Sequence, residues 1–323
     1  MKFFAISLVL VIGFLFTACG GSPEYGTISI GSLQSGDHLS LDEARRGFVS
    51  GLADEGWVEG ENLNFSWFSA GGDMAAANAM AQQIVDNRPD LILGIATSTS
   101  QLLSRTTYDI PIVITAVTDP LRAELVESLE RPGRNVTGTS DLSPVADQFE
   151  LLTQLLPNAR RVGIIYNSGE INSHVLAVMA RETARSLGLE YETVTVAGTG
   201  DVAQATEHIA GRVDVIYTPT CNTIAAAIAV VASVADSQGV PIIGGNENHV
   251  RGGALATRGV NYYRLGRQAA VMAGQILRGE AIPAEMPIQW QEDHSLAINI
   301  SAAERLGIYI PADMLAEAII IED

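Results

Sequence analysis

The chain predicts an α/β protein of two doubly wound parallel-sheet lobes joined by a hinge. Short β-branched apolar runs alternate with segments of helical periodicity, which is the pattern of repeated βα units. The sequence pattern of the first half also recurs in the second half. Ser-Gly-Asp at 35–37 has a counterpart in Ser-Gly-Glu at 168–170, and Asp90 has a counterpart in Asp214. Most apolar runs end in a short loop rich in Ser, Thr, Asn and acidic residues. Two such lobes would bring these loops together across a cleft.

The elements of the first half follow from its apolar runs and its helical periodicity. We expect strands near 26–32, 62–68, 90–95, 111–116 and 135–138, with helices near 41–56 and 74–87 and a polar loop at 97–100. Several of these strands are apolar without alternation, as is typical of strands that are covered by helices on both faces.

The second half repeats this plan. We expect strands near 161–166, 190–196, 213–217, 240–244 and 254–257, and helices near 172–187, 202–210 and 223–238. The chain is expected to cross between the lobes near 141–143 and again near 259–263, before a long helix at 263–278 and a terminal strand and helix. This predicts a first lobe of residues 27–141 and about 260–285, and a second lobe of 142–259, with the lobe of 286–323 left open.

The first residues have the pattern of an export signal. Lys2 is followed by an apolar run at 3–16, which is shorter than the roughly 20 residues of a membrane-spanning helix. Small residues then precede Cys19, as at a bacterial lipidation site, although Phe16 stands where Leu is usual. We expect a signal peptide at 1–18, a lipid on Cys19 and a linker at 19–26. The protein would be exported and anchored to a membrane of the cell envelope, with plain secretion as the alternative.

Composition argues against several other classes of protein. The net charge of −18 opposes binding to nucleic acid phosphates, so we expect no nucleic acid partner. The two cysteines give no disulfide framework if Cys19 carries lipid, and the five histidines show no metal-ligand spacing, so we expect no metal. Gly198 begins a dinucleotide-like motif on the wrong strand of its lobe, which we attribute to Asp201 capping the next helix. We expect no cofactor and no catalytic residue.

Candidate binding residues lie in the loops that follow the strands, where open α/β sheets bind their ligands. Each could instead cap a helix, since Ser, Thr, Asn and Asp are the preferred N-cap residues. The candidates are Ser35, Thr97, Ser98, Asp119, Ser140, Asp141, Asn167, Ser168, Glu170, Asn172, Ser173, Thr220, Asn222 and Asn246.

Loop and strand signatures at 115–120, 135–144, 156–159, 162–173, 253–257 and 261–263 resemble the tryptophan/tyrosine-type solute-binding proteins of bacterial ABC importers. The resemblance implies a type I periplasmic-binding fold, closure around one small ligand, and delivery of that ligand to a membrane permease. It implies an amino acid ligand, aromatic first, and we expect a monomer that is not an enzyme. Cys221 and Asn246 stand where relatives often carry an acidic residue. A sensor that signals to a membrane partner is the alternative.

An amino acid ligand would need donors for its carboxylate and acceptors for its ammonium group, because both lose water on closure. Helix N-termini supply backbone N–H groups, and the candidates for the carboxylate lie near 97–98 and 168–173. Asp119, Asp141 and Glu170 are candidate partners for the ammonium. Asp141 could instead cap a helix, and Asp119 could brace the turn before Pro120.

Overall fold

The computed structural model describes residues 26–322 and contains two β-sheets. The predicted signal peptide, the lipidation of Cys19 and all of the linker except Gly26 lie outside the described residues. The α/β fold class with two mainly parallel sheets is confirmed. No helix among residues 26–322 is both long and apolar enough to cross a membrane.

The first sheet has five parallel strands in the order β2-β1-β3-β4-β5. The strands are β1 (Ile28–Gln34), β2 (Leu63–Ser69), β3 (Leu91–Ile95), β4 (Ile112–Val117) and β5 (Val136–Ser140). The intervening helices are α1 (Leu39–Asp54), α2 (Met74–Asp86) and α3 (Thr97–Thr106). Alternate residues of β3 enter different cores, Leu91 and Leu93 on one face and Ile92 on the other, because helices cover both faces of the sheet.

The second sheet has seven strands in the order β12-β11-β10-β9-β8-β6-β7, and only the β10–β11 pair is antiparallel. Its strands are β6 (Arg161–Asn167), β7 (Glu190–Val196), β8 (Val215–Thr218), β9 (Ile242–Gly244), β10 (Ala256–Gly259), β11 (Ser295–Asn299) and β12 (Ile319–Ile321). The remaining helices are α4 (Val145–Leu155), α5 (Ile171–Ser186), α6 (Val202–Ala210), α7 (Asn222–Ala226), α8 (Ile228–Ser237), α9 (Glu247–Arg251), α10 (Tyr262–Leu277), α11 (Ile300–Leu306) and α12 (Ala312–Glu317).

Within the described chain, three crossings join the sheets, after β5, after β10 and before β11. After the second crossing, α10 packs on α1 beside the first sheet. Residues 286–289 then run along β5, where Thr137 donates to the carbonyl of Met286 at 2.8 Å. The third crossing carries the C-terminal segment, whose lobe the sequence left open, into the second sheet as β11 and β12.

Four helical details differ from the sequence predictions. Residues 97–100 form the first turn of α3 rather than a loop. The helix expected at 223–238 is divided into α7 and α8 at Ala227, whose backbone is not helical (φ −120°, ψ 17°). Helix α9 was not predicted because it is too short to show periodicity. Helix α4 was not predicted either, although Val145, Phe149 and Leu152 recur at helical spacing.

Candidate functional site

A cavity of about 780 Å³ lies between the carboxyl ends of the two sheets, within the size range of small-molecule pockets. The loops after β1, β2 and β3 line one wall, and those after β6, β7 and β8 line the other. Both copies of the repeated motif, at 35–37 and 168–170, contribute to the lining. The cavity is therefore lined by corresponding loops from the two copies of the internal repeat.

The repeat also extends to hydrogen bonds at the opposite edge of the sheets. Asp90 accepts from the backbone N–H of Ser29 at 2.7 Å, and Asp214 accepts from the N–H groups of Arg160 and Arg161 at 2.7 and 2.9 Å. Both aspartates precede corresponding strands, β3 and β8. The two lobes are thus built alike down to single side-chain contacts.

A smaller pocket adjoins the main cavity and shares His38, Asn172 and Asn222 with it. Its volume is about 10 Å³, which is the space of about one water molecule. Its lining is mainly polar and includes side chains from both lobes and from the crossings.

The predicted site residues are divided between these spaces. Ser35, Ser98, Asn167, Ser168, Glu170, Asn172 and Asn222 line the main cavity, and Asp141, Thr220 and Asn246 line the smaller pocket. Thr97, Asp119, Ser140 and Ser173 line neither. Asp119 accepts from the N–H of Arg122 at 3.0 Å and pairs with its guanidinium, so its carboxylate braces the turn after β4. The Ser140 hydroxyl donates to the carbonyl of Thr118 at 2.8 Å.

Glu170 is held by the N-terminus of α7. Its oxygens accept from the backbone N–H groups of Asn222 (2.8 Å) and Thr223 (2.9 Å), and from the side chains of both residues at 2.7 Å. These four donors engage both carboxylate oxygens. The carboxylate can still attract a ligand ammonium through its charge, but its main contacts are within the second lobe.

Asp141 is buried at the first crossing between the sheets. It accepts from the hydroxyls of Thr118 (2.9 Å) and Tyr262 (2.5 Å), and Tyr262 begins α10 after the second crossing. Burial raises the pKa of Asp141, although both hydrogen bonds oppose that rise. Asp141 therefore joins two crossings beside the smaller pocket rather than capping a helix.

His38 lines the site although it was not among the predicted site residues. Its Nε2 lies 3.2 Å from Oδ1 of Asn222, on the opposite wall of the cavity. Since Nδ2 of Asn222 donates to Glu170, Oδ1 is the acceptor and Nε2 of His38 carries the proton. Burial lowers the pKa of His38. Its position directly after the repeated Ser-Gly-Asp motif was the signal that could have identified it.

Further contacts join the lobes through α1 and α9. Nδ2 of Asn248 donates to the Ser40 hydroxyl at 3.2 Å and to Glu43 at 3.0 Å. Asn246 caps α9, accepting from the N–H groups of Asn248 and His249 at 2.9 and 3.2 Å. The lobes of this structure are in direct contact around the cavity.

Two helix N-termini, those of α3 and α5, face the cavity with their unpaired N–H groups. No side chain caps either helix. The buried hydroxyls of Ser35 and Thr97, near the start of α3, have no hydrogen-bond partner. Ala96 precedes α3 with φ +78°, and such strained non-glycine backbone clusters at functional sites.

The charged side chains of the cavity are all acidic. Asp37, Asp73 and Glu170 line it, whereas no arginine or lysine of residues 26–322 lines either space. Cys221, in the smaller pocket, is a buried free thiol whose pKa burial raises to about 12, so it is not a nucleophile at neutral pH.

The rejected dinucleotide-like motif contributes Gly198 and Thr199 to the cavity lining. The expectation that Asp201 caps α6 was wrong. Its carboxylate accepts from the N–H of Ala197 at 3.0 Å and makes no bond to the first turn of α6. The motif therefore shapes the loop after β7 by closing a turn of its own.

Two lobes that enclose a polar cavity at the carboxyl ends of their sheets have the architecture of periplasmic-type binding proteins. The family model described as ABC transporter substrate binding protein matches residues 29–321, and the chain belongs to this family. It is thus a binding protein and not an enzyme, as the sequence predicted.

Relatives of known structure and function support this assignment. A tyrosine-binding protein of Clostridioides difficile is 36% identical over 280 residues, which are 87% of this chain and 81% of that protein. A streptococcal ABC domain in complex with L-Trp is 36% identical, with a TM-score of 0.88 over 92% of this chain and 100% of that one. The ligand-free, open structure of a substrate binding protein from Clostridium difficile is 34% identical, with a TM-score of 0.72 over 92% and 99%. The type I periplasmic-binding fold is confirmed.

Proposed function

We propose that this protein is the extracytoplasmic solute-binding component of an ABC importer and that it binds an amino acid, aromatic first, between its lobes. The tyrosine-binding relative and the L-Trp complex support this choice of ligand. The direct contacts between the lobes fit a closed form that surrounds its ligand and then delivers it to a membrane permease.

The observation that carries the proposal is that the cavity presents both hydrogen-bond donors for an anion and acidic side chains for a cation. Unpaired N–H groups at the starts of α3 and α5 suit a carboxylate. The acidic side chains of Asp37, Asp73 and Glu170 suit an ammonium group in the same space. A zwitterion satisfies both. A doubly anionic ligand would meet acidic side chains, and in the described part of the chain no arginine or lysine lines the cavity to balance its charge.

Aliphatic side chains would hold the side chain of the ligand. Met74 and Ala77 of α2 line one wall, and Ile171, Val196 and Ala226 line the other. In the described part of the chain no Phe, Tyr or Trp side chain lines the main cavity, so an aromatic ligand would pack between these aliphatic groups.

The cellular context belongs to the same proposal. A signal peptide at 1–18 would direct export of the protein. A lipid on Cys19 would then anchor it, as a monomer, on the outer side of the cytoplasmic membrane. The lobes would comprise 27–141 with about 260–285, and 142–259, with a hinge at the crossings. The inclusion of β11 and β12 in the second sheet supports extending the second lobe into the C-terminal segment.

The proposal is tested by a thermal-shift screen of the protein without residues 1–18 against the twenty amino acids, small peptides, nucleosides and sugars. A ligand at 100 times its dissociation constant stabilises the folded state by about 2.7 kcal/mol, which such a screen detects. We expect the largest shifts with L-tryptophan or L-tyrosine. A shift confined to sugars or nucleosides would contradict an amino acid ligand.

A further inference from the structure

A histidine joins the two lobes beside the cavity. His38 belongs to the first lobe, where its backbone carbonyl accepts from the N–H groups of Leu41 and Asp42 in the first turn of α1. Its Nε2 donates to Oδ1 of Asn222, at the start of α7 in the second lobe, over 3.2 Å. Asn222 is itself held in place, because its Nδ2 donates to Glu170. The imidazole therefore contacts a fixed group of the opposite lobe.

This contact contains a group that can change its charge near neutral pH. Histidine is the side chain whose ordinary pKa lies between pH 5 and pH 8. The hydroxyl of Ser40 and the amide of Asn248, which also join α1 to the second lobe, do not titrate in this range. The hydrogen bond of His38 is thus a contact between the lobes that protonation can alter.

The second ring nitrogen of His38 has no acceptor for a proton. Nδ1 is buried and has no hydrogen-bond partner within residues 26–322. Both nitrogens of a protonated ring are donors, so an imidazolium between the closed lobes would leave a buried N–H group unsatisfied. Burial accordingly lowers the pKa of His38, although the hydrogen bond to Asn222 opposes that change.

Nearby charges oppose the effect of burial without overcoming it. Glu170 at the start of α5, Asp42 on α1 and Asp37 in the preceding loop each favour a protonated His38. The ring of His249, next to α1 from the side of α9, disfavours a second positive charge. The other titratable groups that line the two spaces with His38 are Asp73, Asp141, Cys221 and Tyr262. The ring is therefore neutral while the lobes are in contact.

We propose that the hydrogen bond of His38 to Asn222 is a proton-sensitive latch, which holds the lobes closed around the ligand while the ring is neutral and opens when the ring is protonated. This inference rests on the proposed function and adds its regulation. His38 is a positioning residue, because it acts on the opposite lobe through Asn222.

The sign of the pH dependence follows from the two forms of the protein. Separation of the lobes exposes the ring to water, where a histidine has its ordinary pKa of about 6.5. The open form then holds more protons than the closed form, so closure around a ligand releases a proton. The affinity is full above this pKa and falls as the pH falls below it, by up to about tenfold per pH unit.

Calorimetric titration of the protein without residues 1–18 with L-tryptophan and L-tyrosine, between pH 7.5 and pH 5.0, tests the latch. We expect the affinity to fall roughly tenfold over this range. At pH 6.5 we expect release of about half a proton per ligand, measured from the heats in buffers of different ionisation enthalpy. A constant affinity without proton release would overturn the latch and leave the binding function intact. Absence of binding by both amino acids at every pH would overturn both.

A matched pair of variants assigns the proton to one histidine. His38→Gln keeps a donor for Asn222 but cannot titrate. We expect it to bind L-tryptophan about threefold or more weakly at pH 7.5, because a flexible amide replaces the ring, and to change less than about twofold from there to pH 5.0. His174→Gln is the control, since His174 is exposed on α5 and lines neither space, and it should keep the wild-type pH profile.

The same decline in His38→Gln as in the wild type would assign the pH dependence to another group and contradict the latch. Loss of the decline in His174→Gln would contradict it as well. Circular dichroism at each pH confirms that the wild type and both variants are folded.

Discussion

At the scale of single residues, His249 makes the stability of the protein depend on pH. It is buried in the second lobe, where its Nδ1 accepts from the N–H of Gly245 (3.3 Å) and lies 3.0 Å from the Thr218 hydroxyl. Burial lowers its pKa to about 3, so the imidazole is neutral in the folded protein at ordinary pH.

The unfolded chain protonates His249 near pH 6.5, whereas the folded protein resists protonation down to about pH 3. The unfolded state therefore holds more protons in this window, and stability falls as the pH falls through it. We expect His249 to contribute a slope of about 1.4 kcal/mol per pH unit to the free energy of unfolding. Urea unfolding between pH 4 and pH 7 measures the slope, which should be shallower in His249→Gln. The same slope in both proteins would contradict this role.

Single residues were also where prediction from sequence was weakest. The polar residues that follow each strand indicated which loops meet at the cavity. They did not indicate which of their side chains are already hydrogen-bonded within the protein. Asp119 pairs with Arg122 and Glu170 with the start of α7, and these contacts depend on distances that spacing does not encode. The bonds of Asn248 to Ser40 and Glu43 were not predicted, because they depend on the position of α9, which the sequence did not indicate.

At the scale of elements, the contact between α1 and α10 depends on glycine. A Cβ on Gly266 would lie 1.9 Å from the carbonyl oxygen of Ala44, and one on Gly47 would lie 2.0 Å from that of Tyr263. These helices approach each other at backbone distance, and this contact fixes α10 beside the first sheet.

We expect Gly266→Ala to destabilise the protein by about 1–3 kcal/mol or more, because the added methyl group forces the two helices apart. Gly200→Ala is the matched control, since a Cβ there meets no atom within 4 Å and its φ is not positive. Urea unfolding of both variants measures the difference. A loss in Gly266→Ala no greater than in the control would show that the helices can separate without cost.

Elements with clear periodicity were predictable and those without it were not. The strands β1 to β10 and the helices α1, α2, α5, α6 and α10 lie close to their predicted positions. Most of them bury apolar residues at a regular spacing, although β2 and β7 each bury only one residue. The break between α7 and α8 at Ala227 has no Gly or Pro to announce it.

At the scale of the whole molecule, the lobes are held together by polar contacts rather than by an apolar interface. Asn248 is a clear case, because its amide reaches Ser40 and Glu43 of α1 from the second lobe. Such contacts can separate and reform at little cost, as opening and closing around a ligand requires.

We expect Asn248→Ala to weaken amino acid binding by roughly tenfold, because the closed form loses a hydrogen bond to the charged Glu43. Asn78→Ala is the control, since that amide bonds only within α2, to the carbonyl of Met74. Calorimetric titration measures the affinities, and small-angle scattering of the ligand-free proteins measures how far the lobes are open. Wild-type affinity in Asn248→Ala would show that this contact does not contribute to closure.

The two-lobed plan itself was predictable because the internal repeat shows it directly. The first two crossings between the sheets were also predictable. The third crossing was not, since nothing in the pattern of residues 286–323 assigns their strands to one sheet. The antiparallel pairing of β11 with β10 decides it, and that pairing depends on contacts far apart in sequence.

The winding of the chain between the sheets also sets the order in which the protein can fold. Helix α10, which packs beside the first sheet, is synthesised only after β6 to β10 of the second sheet. The strands β11 and β12 complete the second sheet and come from the last residues described. Neither half can finish as an independent unit while the chain beyond residue 260 is still missing. Contacts between such distant segments form slowly. A newly made chain therefore stays incompletely folded until its C-terminal part is available, which is the state in which an unfolded polypeptide can be threaded through a translocation pore.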